Sequence, residues 1–249
     1  RFSTFFNSIR KVGEGSFGSV FEVEDRVTKE RFAVKQVRIK PHSVNVQKVQ
    51  REANILKGFS HRGIVQYIDS WCETPPAKWQ VIYFILFILQ VRCCAFQVAF
   101  HDNATYMYIQ MELCTQSLTI WLSNHPTHLN LEQMKMWLKQ LLEAVAYIHS
   151  KKFMHRDLNP NNILLLGEDL LKICDLGTAT DIGTVCGKEM SKTRTIVGTE
   201  LYESPEQRTW KYRSKIDVFT LGLIFAELCL PMTPKKRRKI FDNYRNGRR

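Results

Sequence analysis

The chain has 249 residues, of which 44% are hydrophobic and 11% aromatic; this composition excludes an intrinsically disordered protein and allows one large domain or two lobes. The net charge of +12 is concentrated at the end of the chain, where residues 235–249 contain eight lysines and arginines against the single acidic residue Asp242. Such a charge favours acidic partners in general and does not by itself indicate a nucleic-acid-binding protein.

The seven cysteines follow neither a metal-site pattern nor a disulfide pattern. Their number is odd, and no two of them stand in a CxxC arrangement. A zinc site or a disulfide framework is therefore not expected, and reduced thiols in the cytoplasm are the simpler interpretation. The chain begins at Arg1 and shows no signal peptide, so we expect it to be part of a longer protein.

The first half of the chain predicts mostly strands. The first forty residues favour strands and tight turns, a helix is predicted from Val46 to Leu56, and strand-like apolar runs follow at 64–68 and 106–113. Within 78–100, the uninterrupted apolar run has nine residues. A membrane span needs about 20, so none is expected; a buried strand, a loop segment and a mispredicted exon stay open.

The second half predicts longer helices. One is expected from Leu131 to Ile148, with an apolar face formed by Met134, Trp137, Leu138, Leu141, Val145 and Ile148. Another is expected from Ile216 to Leu230. Strands first and helices later predict a small β-rich lobe followed by a larger helical lobe.

Residues 13–20, GEGSFGSV, fit the glycine-rich pattern GxGxxGxV, in which glycines let the backbone approach phosphates closely. A dinucleotide-binding loop or a plain hairpin could share this pattern. The dinucleotide-binding loop requires a helix next, whereas the following residues SVFEVEDR predict a returning strand. Lys35, fifteen residues after Val20, could supply a point charge to nucleotide phosphates, or be an ordinary solvated lysine.

Glu52 lies on the predicted helix after Lys35, one position from the apolar face of that helix. There it could pair with Lys35 and hold its ammonium group in place. An exposed helix glutamate is an equal alternative.

Residues 155–162, HRDLNPNN, match a phosphotransfer loop except that Asn159 stands where a lysine is usual. In that pattern Asp157 accepts the proton of the substrate hydroxyl, and Asn162 binds a metal ion. Asp175-Leu176-Gly177 follows a strand-like run, and Asp175 would be the other magnesium ligand. Ser204-Pro205-Glu206 then stands at the position of an APE motif.

Taken together, these six motifs resemble the eukaryotic protein kinases in order and spacing. YIDSW at 67–71, YIQMELC at 108–114 and GTELYESPEQ at 198–207 resemble the kinases of the α subunit of translation initiation factor two. YIHSKK at 147–152 and SKTRT at 191–195 are most similar to the double-stranded-RNA-activated branch of that family.

The resemblance implies an α+β, bilobal kinase fold. It implies an N-lobe at 1–111 with a variable insert at about 74–101, a hinge at 112–114, and a C-lobe at 115–249 that is truncated at its C-terminal end. It further implies serine/threonine phosphorylation of the initiation factor's α subunit as a stress-triggered brake on translation, with ATP and Mg²⁺ as cofactors. A cytoplasmic homodimer formed through the N-lobe is expected, without direct nucleic-acid binding by this domain.

Roles for individual residues follow from the same resemblance. Met111 would be the gatekeeper, Glu112 to Cys114 the hinge, and Val20, Ala33 and Leu164 the residues around the adenine, where core packing explains them equally well. The implied ATP-binding residues are Val12, Gly13, Glu14, Gly15, Ser16, Phe17, Gly18, Val20, Ala33, Lys35, Met111, Glu112, Cys114 and Leu164. The implied catalytic residues are Lys35, Glu52, Asp157 and Asn159, and the metal ligands are Asn162 and Asp175.

Regulatory phosphorylation is implied at the activation-loop threonines Thr195 and Thr199. A phosphate on Thr195 would pair with Arg156 and order the loop. Ser191 and Thr193 compete with Thr195 for this assignment.

Three departures from the family pattern carry expectations. Asn159 is expected to slow the chemistry by on the order of 10 to 1,000 without abolishing it, and Glu203 to affect substrate choice. If the C-lobe ends at 249, Glu206 would lack its arginine partner and remain as a costly buried carboxylate. A catalytically weak or dead scaffold that binds nucleotide or pairs with an active kinase is therefore the alternative function.

The basic run PKKRRK, 234–239, has two interpretations. It could be a nuclear-import signal, or a solvated basic helix at the position where the family docks its substrate. The second interpretation is favoured because the adjoining residues also fit the family.

Overall fold

The computed structural model describes residues 1–15, 18–39, 44–74, 105–125, 131–182, 200–208, 213–230 and 232–247. The chain divides into two compact units. The first comprises residues 1–59 and 66–113, and the second comprises residues 60–65 and 114–249. The segment 78–100 and the threonines Thr195 and Thr199 lie outside the described residues, so the predictions made for them stay predictions.

The first unit is built on one antiparallel sheet of five strands in the order β1-β2-β3-β5-β4. Its strands are β1 (Phe6–Gly15), β2 (Gly18–Asp25), β3 (Arg31–Ile39), β4 (Tyr67–Glu73) and β5 (Thr105–Glu112). Among the described residues of this unit, the helices α1 (Phe2–Phe5) and α2 (Val44–Lys57) accompany the sheet. The strands predicted for the first forty residues and the helix predicted from Val46 are confirmed, whereas α1 was not predicted.

Aromatic side chains fill the core of the first unit. Trp71 and Tyr108 stack with ring centroids 5.3 Å apart, and Phe6 stacks on Trp71 at 6.0 Å. Phe21, Val23 and Val34 complete this layer, each at most 1% exposed. The alternation of apolar and polar residues along β2 and β3 therefore places one face of the sheet in a dry core.

The second unit is mainly helical, and the α+β fold predicted from the order of the elements is confirmed. Its helices are α3 (Leu118–Asn124), α4 (Leu131–Ser150), α5 (Lys215–Cys229) and α6 (Pro234–Arg245). Short strands form two small sheets, β6 (Gln116–Ser117) with β8 (Ile163–Leu166) and β9 (Leu170–Ile173), and β7 (Phe153–Met154) with β10 (Thr180–Asp181).

The long helix α4 buries the face that its apolar spacing predicts. The buried residues are Met134, Trp137, Leu141, Val145 and Ile148, and Leu138 is partly buried.

The start of the strand predicted at 64–68 is wrong, because β4 begins at Tyr67. Ile64 instead forms an isolated bridge with Ile173 in the second unit, and Val65 N–H donates to the carbonyl of Ile173 at 2.9 Å.

Among the described residues, no helix combines the length and the apolar character that a membrane crossing requires.

Candidate active site

The glycine-rich segment forms the tip of the β1–β2 hairpin. Gly13 lies opposite Val20, and Gly15 lies opposite Gly18, so the predicted returning strand is confirmed. A Cβ atom on Gly18 would stand 2.1 Å from the carbonyl oxygen of Gln36, a distance that no side chain can occupy. Only glycine therefore fits at position 18 with the backbone in this place.

Of the remaining residues predicted near this tip, Val12 and Glu14 are accessible. Val12 is 39% exposed, and the exposed Glu14 forms an ion pair with Lys11 at 2.9 Å. Ser16 and Phe17 lie outside the described residues.

Lys35 and Glu52 form a buried ion pair. The Lys35 Nζ lies 2.7 Å from the Glu52 Oε1, and the two residues are 7% and 2% exposed. Strand β3 places Lys35 opposite Val20 on β2 and Ile109 on β5, and helix α2 brings Glu52 to it. The predicted pairing is thus present, and the solvated alternatives for both residues are wrong.

Strand β5 carries the predicted gatekeeper and the start of the predicted hinge. Met111 lies opposite Ala33, and Glu112 lies opposite Phe32. Glu112 is also tied to Gln66, whose backbone N–H donates to the Glu112 carboxylate at 2.6 Å. Of the residues predicted to surround the adenine, Val20, Ala33, Met111 and Glu112 belong to the first unit, and Cys114 and Leu164 belong to the second.

In the second unit, two asparagines hold the carboxylate of Asp157. Asn159 Nδ2 donates to Asp157 Oδ1 at 3.0 Å, and Asn162 Nδ2 donates to Asp157 Oδ2 at 3.2 Å. Both amides also donate to the main-chain carbonyl of Asp157, at 3.1 and 2.8 Å. The loop thus brings together three of the predicted site residues.

Asp217 anchors this loop, and it was not among the residues predicted from the sequence. One of its carboxylate oxygens accepts from the His155 N–H at 2.9 Å, and the other accepts from the Arg156 N–H at 3.0 Å. His149 Nε2 lies 2.8 Å from the same carboxylate. The sequence feature that could have identified it is an acidic residue at the start of the apolar helix α5, because a buried carboxylate needs hydrogen-bond partners. In the structure Asp217 is 1% exposed.

Asp175 begins a tight turn close in sequence to the end of β9. Its backbone is left-handed, with φ 58°, and its Oδ1 accepts from the Gly177 N–H at 3.4 Å. Leu176, the next residue, is fully buried. The turn is joined to the loop 155–162, because Arg156 Nε donates to the Thr178 carbonyl at 2.7 Å and Thr178 Oγ1 donates to the His155 carbonyl at 2.8 Å.

Residues 204–207 also contact the loop. Gln207 Nε2 donates to the Arg156 carbonyl at 3.0 Å, and its Oε1 accepts from the Ser204 N–H at 2.8 Å. Glu206 is exposed, so the expectation of a buried carboxylate at this position is wrong. An exposed carboxylate keeps its hydration and carries no large desolvation cost.

The basic run at 234–239 forms part of helix α6, as the second interpretation predicted, and Lys235, Lys236, Arg238 and Lys239 are exposed. Two arginines of this helix turn inward instead. Arg237 pairs with Glu227, which also accepts from the hydroxyl of Tyr202. Burial, followed by the negative charge of Glu227, raises the pKa of Tyr202 above its usual range.

Arg245, at the end of α6, is the second inward arginine and is 8% exposed. Its guanidinium group donates to the carbonyls of Leu201 at 2.7 Å and Glu203 at 2.9 Å. It also pairs with Asp242 at 2.6 Å. Helix α6 therefore holds the segment that precedes Ser204.

The family model described as "Protein kinase domain" matches residues 6–248. The "Interferon-induced, double-stranded RNA-activated protein kinase" of Mus musculus is 34% identical over 257 residues, covering 99% of this chain and 44% of the mouse protein. The "eIF-2-alpha kinase GCN2" of Arabidopsis thaliana is 28% identical over 98% of this chain and 22% of its own length.

A shorter match covers 58% of this chain and 15% of the "Eukaryotic translation initiation factor 2-alpha kinase pek-1" of Caenorhabditis elegans, at 36% identity. The resemblance to kinases of initiation factor two expected from the motifs is confirmed by these relatives. The chain spans less than half the length of each curated relative named here.

Proposed function

Because the chain belongs to the protein kinase family, we propose that it transfers the γ-phosphoryl group of ATP to a serine or threonine hydroxyl of a protein. The proposed substrate is the α subunit of translation initiation factor two, which the names of two relatives mention as eIF-2-alpha or initiation factor 2-alpha. Restraint of translation under stress, in the cytoplasm, is the biological role that goes with this substrate.

The observation that carries the proposal is the arrangement of Asp157. Both of its carboxylate oxygens are held by amide donors, and the loop backbone around it is fixed by Asp217. A carboxylate held in this way is suited to orient a substrate hydroxyl and accept its proton as the phosphoryl group leaves ATP.

Nucleotide phosphates would be bound by the glycine-rich hairpin and by Lys35. The buried Glu52 holds the ammonium group of Lys35, so that the charge is presented in one direction with little loss of side-chain entropy on binding. Protein kinases in general use ATP together with a divalent metal ion, and the metal neutralises charge on the phosphates.

Asn162 and Asp175 would hold Mg²⁺. Asn162 gives its amide nitrogen to Asp157, which leaves the amide oxygen as the atom suited to a cation. One amide oxygen and one carboxylate suit magnesium, which takes few protein ligands and completes its shell with phosphate oxygens and water.

The experiment that tests the proposal is transfer of labelled phosphate from ATP, with magnesium, to the initiation factor's α subunit. Asp157→Asn should abolish transfer because the amide cannot accept the proton. The matched control is Asp169→Asn, the same substitution at an exposed aspartate between β8 and β9, and it should transfer phosphate like the wild type.

The rival function is a scaffold that binds nucleotide without turnover, and Asn159 at the usual lysine position favours it. Equal ATP binding by the wild type and by Asp157→Asn, with transfer by neither, would establish the scaffold. A homodimer formed through the first unit is part of the proposal in either case, and sedimentation of the chain at several concentrations tests it.

A further inference from the structure

Asn159 contacts two neighbours through the two ends of its side chain. Its amide nitrogen donates to the carboxylate of Asp157 at 3.0 Å and to the carbonyl of the same residue at 3.1 Å. Its amide oxygen accepts from the Asn161 N–H at 3.0 Å. The side chain is almost fully enclosed, because the residue is 2% exposed.

The oxygen contact organises the residues that follow. It caps the short 3₁₀ turn Pro160–Asn162, and this turn carries the amide of Asn162. That amide donates to the other carboxylate oxygen of Asp157. One asparagine therefore fixes one carboxylate oxygen directly and supports the residue that fixes the second.

A lysine at this position would provide a positive charge on a long, flexible side chain. The asparagine side chain is short and neutral, and the bonds to Asp157 already occupy its donor group. A direct charge contact with a transferred phosphoryl group is therefore not the role that this geometry supports.

We propose that Asn159 is a positioning residue, which sets the orientation of the Asp157 carboxylate through its amide nitrogen and of Asn162 through its amide oxygen. The proposal rests on the function proposed above, since the position of Asp157 matters for catalysis only if phosphate is transferred. It goes beyond the expectation that asparagine at the usual lysine position only slows the chemistry.

The kinetic test is Asn159→Asp, which keeps an oxygen for the Asn161 N–H but places a carboxylate oxygen against Asp157. The turnover number should fall by about 100-fold, because displacement of a reacting group by about 1 Å has an effect of this size. The KM for ATP should stay within about threefold, since the proposed role of Asn159 is to position Asp157 and Asn162 and not to bind the nucleotide. A turnover number equal to that of the wild type would overturn the proposal.

Two further variants separate positioning from folding. Asn161→Asp makes the same chemical change at an exposed side chain of the same loop, and it should leave both kinetic constants unchanged. Asn159→Lys keeps a donor for the Asp157 carboxylate but loses the oxygen that accepts from the Asn161 N–H, so its turnover number should lie between those of Asn159→Asp and the wild type. A loss of turnover in Asn159→Lys as large as in Asn159→Asp would contradict a role through donation to Asp157.

A spectroscopic readout works without turnover. In protein labelled with ¹⁵N-asparagine, the side-chain NH₂ signals that disappear in Asn159→Asp belong to Asn159. These signals should shift in Asp157→Ala and stay in place in Asn161→Asp, because only the first change removes their acceptor. Signals that do not respond to Asp157→Ala would overturn the proposal.

The two readouts also separate this inference from the proposed function. A wild-type chain that transfers no phosphate, with signals that shift in Asp157→Ala, would remove the proposed function and leave the contact standing. Transfer by the wild type together with signals that do not shift would keep the proposed function and remove the positioning role.

Discussion

Lys35 and Glu52 show how a single buried pair can serve function more than stability. Both charges are withdrawn from water, and the attraction across 2.7 Å has to offset two desolvation penalties. Pairs of this kind are often replaced by apolar residues without loss of stability, while removal of one partner is strongly destabilising.

Glu52→Gln should lower the free energy of unfolding by about 3 kcal/mol, because the ammonium group of Lys35 stays buried without its counter-charge. The double variant Lys35→Met/Glu52→Met should recover most of this loss but transfer no phosphate. Urea denaturation of both variants, beside the exposed control Glu30→Gln, measures the difference. A double variant as unstable as the single one would show that the pair does stabilise the fold.

Two glycines of the same hairpin should respond differently to the same substitution. In Gly18→Ala the new Cβ would lie 2.1 Å from the Gln36 carbonyl, so β2 and β3 have to separate locally. We expect a loss of about 1–3 kcal/mol in the free energy of unfolding, the range typical of enforced backbone strain. In Gly13→Ala the new atom meets only Val20 at 3.8 Å, and thermal unfolding should show almost no change.

At the scale of elements, helix α6 shows that a helix with a run of basic residues can also carry arginines that face the interior. Most lysines and arginines of a basic run are solvated, so the sequence predicts an exposed helix and nothing more. Arg237 and Arg245 lie on the inner side of α6, where Glu227 and three main-chain carbonyls receive them. The carbonyls that Arg245 contacts lie more than forty residues earlier, and Glu227 lies on helix α5, so no pattern within α6 indicates these contacts.

Arg245→Ala should destabilise the protein more than loss of an exposed arginine of α6 does. It leaves the partly buried carbonyl groups of Leu201 and Glu203 without this donor, and a buried acceptor without a donor costs about 1–3 kcal/mol, so we expect a loss of about 2 kcal/mol. Arg245→Lys should recover little of this loss, because an ammonium group cannot reach several acceptors in one plane. The exposed Arg238→Ala is the control in equilibrium unfolding, and equal losses in the two alanine variants would contradict the proposed anchoring.

The sequence predicted features that a local residue pattern determines, and it missed contacts between residues that are far apart in the chain. Helix α4 was predicted because six apolar residues repeat at helical spacing, and the pairing of Lys35 with Glu52 could be anticipated from their position on neighbouring elements. Asp217 could not be, since its three partners lie more than sixty residues earlier in the chain. The expectation for Glu206 was wrong because it came from the family pattern and not from the surroundings of Glu206 in this chain.

At the scale of the whole molecule, the net charge of +12 favours acidic partners in general, and any attraction of RNA by this charge alone should show no sequence preference. The affinity of the chain for single-stranded RNA should fall steeply as salt rises, and unrelated sequences should compete equally. Replacement of the exposed Lys235, Lys236, Arg238 and Lys239 by glutamine should lower the log–log salt slope by up to about 0.7 for each phosphate that the chain no longer neutralises. A log–log salt slope that does not change would show that these four side chains do not neutralise the phosphates.

Because Asp217 is buried, the backbone amides that it binds should exchange their hydrogens with solvent slowly. Loop amide hydrogens ordinarily exchange with deuterated water within seconds, because local opening suffices. The amides of His155 and Arg156 belong to a loop, yet their acceptor lies on a helix of the core. Their exchange should therefore follow the rare opening of helix α5, so that these two positions keep their hydrogens as long as the centre of the protein does.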